Sequence, residues 1–489
     1  MKFISTRGVS VVENASQAIV KGLADDGGLF VPESFPNVSD DLKAMLDMDY
    51  AERSAFVLSK YLTEYDYEDL KNATKNAYAK FEENDAAPVV KIDDKLFILE
   101  LFHGPTLAFK DIALTLLPYL LRKGADHVGV TEQILILVAT SGDTGKAALE
   151  GFREQEGIKI NVFYPSEGVS DMQKMQMATT SGANVNVVAV EGNFDDCQTA
   201  VKQIFSSEEY KKVLKENGVI LSSANSINFG RLAPQIAYYF SAYLDLVNAE
   251  EISLGDKVDF VVPTGNFGNI LAGYYAKKMG LPVGKLICAS NKNNVLTDFF
   301  VDGEYDINRE FYKTTSPSMD ILISSNLERL IFELSCRDGK VVAEKMKALK
   351  ESGKYTISQN EISALSKEFF AGYCDEETSA TVTEDFFEEY AYVLDPHTSV
   401  AVAVLNDYGI KNNTVVLSTA SPYKFPASVL DALNEKVTGD PFKDANTLEE
   451  LSAMPIPESI LELKTKPVRF TTVAKKDQLF SKVLEFVKL

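Results

Sequence analysis

Val258-Asp259-Phe260-Val261-Val262-Pro263-Thr264-Gly265-Asn266-Phe267-Gly268-Asn269 is the stretch that decides the fold. An almost continuously apolar, β-rich run ends in a turn of small and polar residues, and a helix-period segment follows through Met279. A strand apolar on both faces is buried from both sides, as in a parallel sheet covered by helices. The same rhythm recurs on either side. Gln133–Thr140 leads into Ser141–Gly145 and a helix from Lys146, and Lys159–Pro165 precedes a helix near Ser170. Val185–Gly192 is followed by Asp195–Phe205, and Val219–Ala224 runs through Asn225–Gly230 into a helix over Leu232–Leu246. Lys285–Ser290 and Val415–Ala420 read as further buried strands. The pattern predicts an α/β fold with two doubly wound, mainly parallel lobes, and ligands bound where strand ends meet helix starts.

Residues 1–92 have a different texture, helix alternating with loop, and form an N-terminal subdomain in this reading. The α/β region is assigned to 93–425, with the smaller lobe at about 130–230, and 426–489 is assigned to an accessory segment. The acidic stretch 340–395 reads as helical. The 489 residues carry 49 Lys and Arg against 71 Asp and Glu, a net charge of −22, which disfavours a nucleic-acid partner. An anionic small substrate would need a local cationic pocket. Cys197, Cys288, Cys336 and Cys374 lie far apart and only three histidines are present, so neither a zinc framework nor a disulfide scaffold is expected. The start, MKFISTRGVS, lacks a signal-peptide apolar stretch, and no apolar run is long enough to span a bilayer; a cytoplasmic protein is expected.

Several turns carry chemistry. Lys110 follows His103-Gly104-Pro105-Thr106-Leu107-Ala108-Phe109 and precedes the apolar run Ile112–Leu121. Burial and a helix start disfavour the ammonium and favour the neutral amine that forms an imine with a carbonyl cofactor. The alternative is a surface lysine at a helix start. In Gly265–Asn269, small residues let successive N–H groups face a phosphate at a helix N-terminus. The turn is no Rossmann fingerprint, lacking the third glycine, and Thr140–Ala147 is no P-loop. Ser141–Gly145 offers hydroxyl and N–H groups to a carboxylate or a phosphate, and Asn225, Ser226 and Arg231 suit a second anion. Plain strand–helix turns with capping residues remain the alternative for both. Ser418-Thr419-Ala420-Ser421-Pro422 closes the last strand, and a hydroxyl there could hydrogen-bond a ring nitrogen; a plain strand end before a Pro turn is the alternative. His397, in Asp395-Pro396-His397-Thr398, reads as part of a helix start.

Together these segments resemble the pyridoxal-phosphate-dependent threonine synthases of the tryptophan-synthase-β fold type, in their longer class. The resemblance rests on Ser5–Gly8, Gly22–Pro32, HGPTLAFKD at 103–111, TSGDTGKAA at 140–148, NSINFGR at 225–231 and PTGNFGN at 263–269. PSMDI at 317–321, SNLER at 325–329 and DPHTSVAV at 395–402 extend it. It implies that Lys110 is the Schiff-base lysine and that Gly265, Asn266, Phe267, Gly268 and Asn269 cradle the cofactor phosphate. Thr419 would partner the pyridine nitrogen and Asp143 would stand beside the cofactor. Thr140, Ser141 and Thr144 would hold the substrate carboxylate; Asn225, Ser226 and Arg231 would face the substrate phosphate, with charge added by Lys146. The implied reaction converts O-phospho-L-homoserine and water to L-threonine and phosphate. Many members of the family it resembles carry Ala-His-Pro-Ala-Lys-Phe after the threonine, whereas this chain has Ala420-Ser421-Pro422-Tyr423-Lys424-Phe425.

Other reactions on the same scaffold stay open, a serine/threonine dehydratase or a phospho-amino-acid lyase that stops at elimination. So does a non-catalytic binding paralogue, which the retained Lys110 argues against. Monomer and dimer are not distinguished.

Overall fold

The computed structural model describes residues 1–82, 85–140, 142–167, 169–192 and 194–488. Two sheets organise it. In the larger lobe six strands run in the order Phe369–Tyr373, Val283–Ser290, Val258–Pro263, Asn413–Ser418, Leu96–Glu100, Val89–Asp93. The first five are mutually parallel, and Val89–Asp93 joins the edge antiparallel through a hairpin. In the smaller lobe Val473–Ala474, Val185–Val190, Ile158–Pro165, Gln133–Ala139 and Val219–Ser222 are all parallel. The doubly wound α/β expectation holds, and its physical cause is visible in the strands. Ile134 to Val138 are fully buried, so both faces of that central strand are covered.

Helix boundaries moved where caps decide them. The helix expected over Leu232–Leu246 is Phe229–Asn248, because the Asn228 carboxamide accepts from Gly230 N–H at 2.9 Å and starts it a turn earlier. It is buried along nearly its whole length and carries the chain from the smaller lobe to the larger. The helix expected from Lys146 begins at Asp143. The acidic stretch 340–395 is not wholly helical. Between Gln359–Glu368 and Glu376–Tyr390 the apolar island Phe369–Tyr373 adds an edge strand to the larger sheet. A five-residue strand between charged helices leaves little periodicity to read.

At the N-terminus a three-stranded antiparallel sheet, in the order Val11–Val12, Phe3–Ser5, Phe30–Pro32, packs with helices Ala15–Lys21, Tyr50–Ser59 and Tyr67–Tyr78. Buried and half-buried polar groups fasten it to the larger lobe. Arg7 grips Glu328 through Nε and Nη2, both at 3.0 Å, and Thr6 donates to the same carboxylate at 2.6 Å. Arg329, wholly buried, donates to Phe30 O at 3.0 Å and to Ile227 O at 2.6 Å.

The last segment crosses between lobes. Helices Pro426–Ala432 and Pro441–Ser452 share a core with Leu107, Met172 and Tyr423. Further on, Val473–Ala474 extends the smaller sheet, and Val483 and Phe486 of helix Leu479–Val487 pack with Leu135 and Phe163. Lys159 Nζ closes that helix on the carbonyls of Phe486 and Val487, at 3.0 and 3.2 Å. Among the described residues no helix is long and apolar enough to cross a membrane.

Candidate active site

Several chain segments meet at the carboxyl ends of the two sheets. Lys110 opens the short helix Lys110–Leu114 and is buried. Its segment is laid against the end of strand Asn413–Ser418 by an Ala108–Ala420 bridge, with Phe109 N–H donating to Thr419 O at 2.9 Å and Ser421 N–H to Leu107 O at 3.0 Å. The amine reaches Ser318 Oγ at 3.0 Å and Asp143 Oδ2 at 3.4 Å. Burial lowers its proton affinity; Asp143 opposes that, and the cations Arg231 and Lys424 reinforce it.

Asp143 is the hub. Its Oδ1 takes Lys424 Nζ at 2.9 Å and Gln173 Nε2 at 2.8 Å, and its Oδ2 takes Ser318 Oγ at 3.1 Å. Burial alone would raise this carboxyl, but Lys424 and Lys110 outweigh it and hold Asp143 well below the usual carboxylate range. The carboxylate is therefore ionised. His397 Nδ1 pairs with Asp395 Oδ1 at 2.8 Å, and its Nε2 accepts from Ser318 N–H at 3.2 Å. An accepting Nε2 leaves the ring proton on Nδ1, facing Asp395. His397 does sit at a helix start, inside Pro396–Tyr408 capped by Asp395. On Lys110's own helix, burial pushes Asp111 up to about 6 despite hydrogen bonds from Thr106.

The Gly265–Asn269 turn is held open from behind. Ser324 Oγ donates to Gly265 O at 2.7 Å, and Asn326 donates to Asn266 O through its N–H and its carboxamide, at 3.1 and 3.0 Å. Phe267 sits at φ +62°, a strained conformation that suits a functional turn, with its ring packed near Phe300 and Phe369. Tyr238 and Tyr239 both donate to Asn269 Oδ1, at 2.6 and 2.9 Å, which fixes the carboxamide and leaves Asn269 Nδ2 buried without a partner. The N–H groups of Gly265 to Asn269 donate to no acceptor among the described residues. Thr419 is buried, and its hydroxyl engages none of them.

Arg231 is buried, with one nitrogen on Ala224 O at 2.9 Å and Nε unpartnered; burial brings the guanidinium down to about 10. Ser226 lies beside Gly268, where a Cβ would sit 3.7 Å from Ser226 Cβ; Ser226 and Asn225 are half-buried. Thr140 Oγ1 is occupied within its own loop, accepting from Gly142 and Gly145 N–H at 3.0 and 2.9 Å. Thr144 is half-buried, and Ser141 lies outside the described residues. Lys146 turns to Glu150 and Thr180, both at 3.2 Å, so its charge is already paired. Ser421 caps the turn Pro422–Lys424 that delivers Lys424. Ser318, Gln173, Lys424 and Arg329 escaped the sequence reading as site residues. Ser318 lies in a single 3₁₀ turn, Pro317–Met319, and Lys424 in a turn whose neighbours look like an ordinary strand exit.

A depressed amine, a row of unsatisfied N–H groups with an orphan carboxamide, and a free buried hydroxyl fit pyridoxal phosphate. A sequence model for pyridoxal-phosphate dependent enzymes matches residues 86–420. The fold and this cluster define a pyridoxal-phosphate-dependent enzyme of fold type II. Models for the threonine synthase N terminus and the threonine synthase C-terminal region match 2–78 and 398–487. The chain is 40% identical to threonine synthase from Pseudomonas aeruginosa over 88% of its own length and 90% of that protein's. The crystal structure of pyridoxal-phosphate-bound threonine synthase from Brucella melitensis superposes with a TM-score of 0.89 over the whole of both chains, at 38% identity. The chain belongs to the threonine synthase family. It is also 43% identical over 86% of its length to human threonine synthase-like 1, of which it spans 58%.

Proposed function

We propose that the protein converts O-phospho-L-homoserine and water to L-threonine and inorganic phosphate. One observation carries the reading. Two sets of unsatisfied donors, the Gly265–Asn269 turn with Asn269 Nδ2, and the Arg231 Nε, accompany the buried Lys110 amine, whose proton affinity burial lowers. One set suits a phosphorylated cofactor and the other a phosphorylated substrate, on a protein whose overall charge would repel both.

Pyridoxal phosphate, when bound, supplies an electron sink that acidifies the hydrogens on the substrate's α- and β-carbons. This chain's residues do the rest. Lys110, freed by the incoming amino group, takes the α- and β-protons as a neutral amine and returns protons to the γ- and α-carbons. Ser318, at 3.0 Å, orients its Nζ. Arg231, with Asn225 and Ser226, binds the substrate phosphate and stabilises it as the γ-carbon–oxygen bond breaks. The 140–144 loop holds the substrate carboxylate through the N–H groups at the start of helix Asp143–Phe152 and through Ser141 and Thr144, Thr140 shaping the loop. Asp143 holds the cofactor side of the site, and Thr419 donates to or accepts from the ring nitrogen. Lys146, buried and paired with Glu150, adds charge on the substrate-phosphate side only if that pair opens. Closure of the smaller lobe keeps water out until phosphate has left. Domain limits at 92 and 425 go with this reading.

Purified protein given O-phospho-L-homoserine tests it. Equal phosphate and threonine, both lost in Lys110→Ala, support the proposal. Phosphate with ketobutyrate would mean a lyase that stops at elimination, and no phosphate would refute it.

A further inference from the structure

Two lysines converge on Asp143, and only one of them is free to react. Lys424 Nζ, wholly buried, lies 2.9 Å from Asp143 Oδ1, 2.6 Å from Thr106 O and 3.4 Å from Gln176 Oε1. An ammonium has three protons and no lone pair, so these three acceptors use all of them. Lys110, by contrast, hydrogen-bonds among the described residues only with Ser318 and the other carboxylate oxygen. Were Lys424 absent, a buried Asp143 would have the Lys110 amine as its nearest countercharge. A buried carboxylate stripped of its cation is costly and takes up the next available positive charge. The amine would then be held protonated, which is the wrong state for attack on a carbonyl.

We infer that Lys424 is a fixed counter-ion that neutralises Asp143 and so releases Lys110 to act as a neutral amine beside a carboxylate. Lys424 is a positioning residue, acting through Asp143. The inference rests on Asp143 standing beside the cofactor, as proposed above. The other charged groups facing the cluster are Arg231 on helix Phe229–Asn248, His397 with Asp395 at the start of Pro396–Tyr408, and Asp111 behind Lys424. None of these is changed in the test.

Cofactor-loaded protein is titrated with base while the visible absorbance of the lysine-linked cofactor is followed. Without Lys424 the Lys110–Asp143 pair keeps its proton longer, so Lys424→Met raises the midpoint by about one pH unit or more, a tenfold gain in proton affinity. In the Asp143→Asn background the same change moves the midpoint by less than about a third of that, and Lys424→Arg in the native background stays near wild type. No shift in Lys424→Met, or an equal shift in both backgrounds, overturns the inference. If Lys424→Met does not fold, the double variant decides: its folding supports the pairing, and equal failure of both overturns it. If wild-type protein shows no lysine-linked absorbance, the assignment of the site fails. Thermal unfolding of cofactor-free protein then decides the pairing separately. Support is a greater loss from Lys424→Met with Asp143 present than with Asp143→Asn; equal losses overturn it.

Discussion

Gly265→Ala and Gly268→Ala change neighbouring turn glycines by the same methyl group, yet the structure gives them opposite outcomes. A Cβ at Gly265 would stand 2.6 Å from the carbonyl oxygen of Ser318, which is backbone and cannot swing aside. Restoring a carbon–oxygen separation of about 3.3 Å requires the 317–319 segment to retreat by about 0.7 Å. Ser318 Oγ sits 3.0 Å from Lys110 Nζ and 3.1 Å from Asp143, so a retreat of that size takes both bonds beyond hydrogen-bonding range. Overpacking of this kind costs about 1–3 kcal/mol. At Gly268 the nearest atoms would be Asn326 Nδ2 at 3.4 Å and Ser226 Cβ at 3.7 Å, ordinary contacts, and the position opens a helix. Alanine there is neutral or gains up to about 1 kcal/mol in helix propensity. Thermal unfolding of the two cofactor-free variants measures this directly. Gly265→Ala should melt several degrees below wild type and Gly268→Ala at or above it. A pyridoxal phosphate titration should show affinity lower by about tenfold or more in Gly265→Ala, matching a loss of about 1.4 kcal/mol. Equal melting temperatures would refute the argument that Ser318 is braced on Gly265.

Other perturbations probe separate parts of the account. Asp111 is raised from 3.8 to about 6, so it binds a proton more readily folded than unfolded. Its contribution is fully present below pH 4 and lost as pH rises through 6, a change of about 3 kcal/mol for a shift of about two units. Asp111→Asn cannot ionise, so between pH 4 and 7 wild type should lose about that much relative to the variant; a constant difference would contradict it. Arg329→Ala leaves the carbonyls of Phe30 and Ile227 unpaired in the interior and should cost about 3–5 kcal/mol. It should also raise KM for a phosphorylated substrate more than it lowers kcat, because Ser226 and Ile227 lose their brace. An unchanged KM in folded Arg329→Ala would sever that link. Shortening Lys159 to Ala removes the cap on helix Leu479–Val487 and should cost about 0.3–1 kcal/mol, read as faster amide exchange in 479–487. Unaltered exchange there would count against the cap.

Strand identity was legible in the sequence because the lobes bury both faces of their strands: an apolar run such as Ile134–Val138 admits few other placements. Phe369–Tyr373 was not legible, being a short island whose strand state depends on the waiting edge of Val283–Ser290. The turns proposed to bear chemistry were picked out by composition and position. Lys110, the Gly265–Asn269 turn and Arg231 do converge, with unsatisfied donors where anions are expected. Networks were not. Lys424 pairs with Asp143 across 281 positions of chain, and the 424 − 143 separation carries no local periodicity from which to infer it. Ser318 and His397 meet through a backbone N–H and a tautomer, which no pattern of residue types records. Lys146 shows the converse. A cation in the right loop turned to a glutamate one helical turn away, a choice made by packing against Thr180.

The most direct test asks which lysine carries the cofactor. Protein loaded with pyridoxal phosphate, reduced with borohydride and digested, should show the added mass on the peptide containing Lys110 and on no other. Lys110→Ala should remove it without transferring it elsewhere. Label on Lys424, the other lysine against Asp143, or no label in protein that binds the cofactor, would contradict the account at its centre.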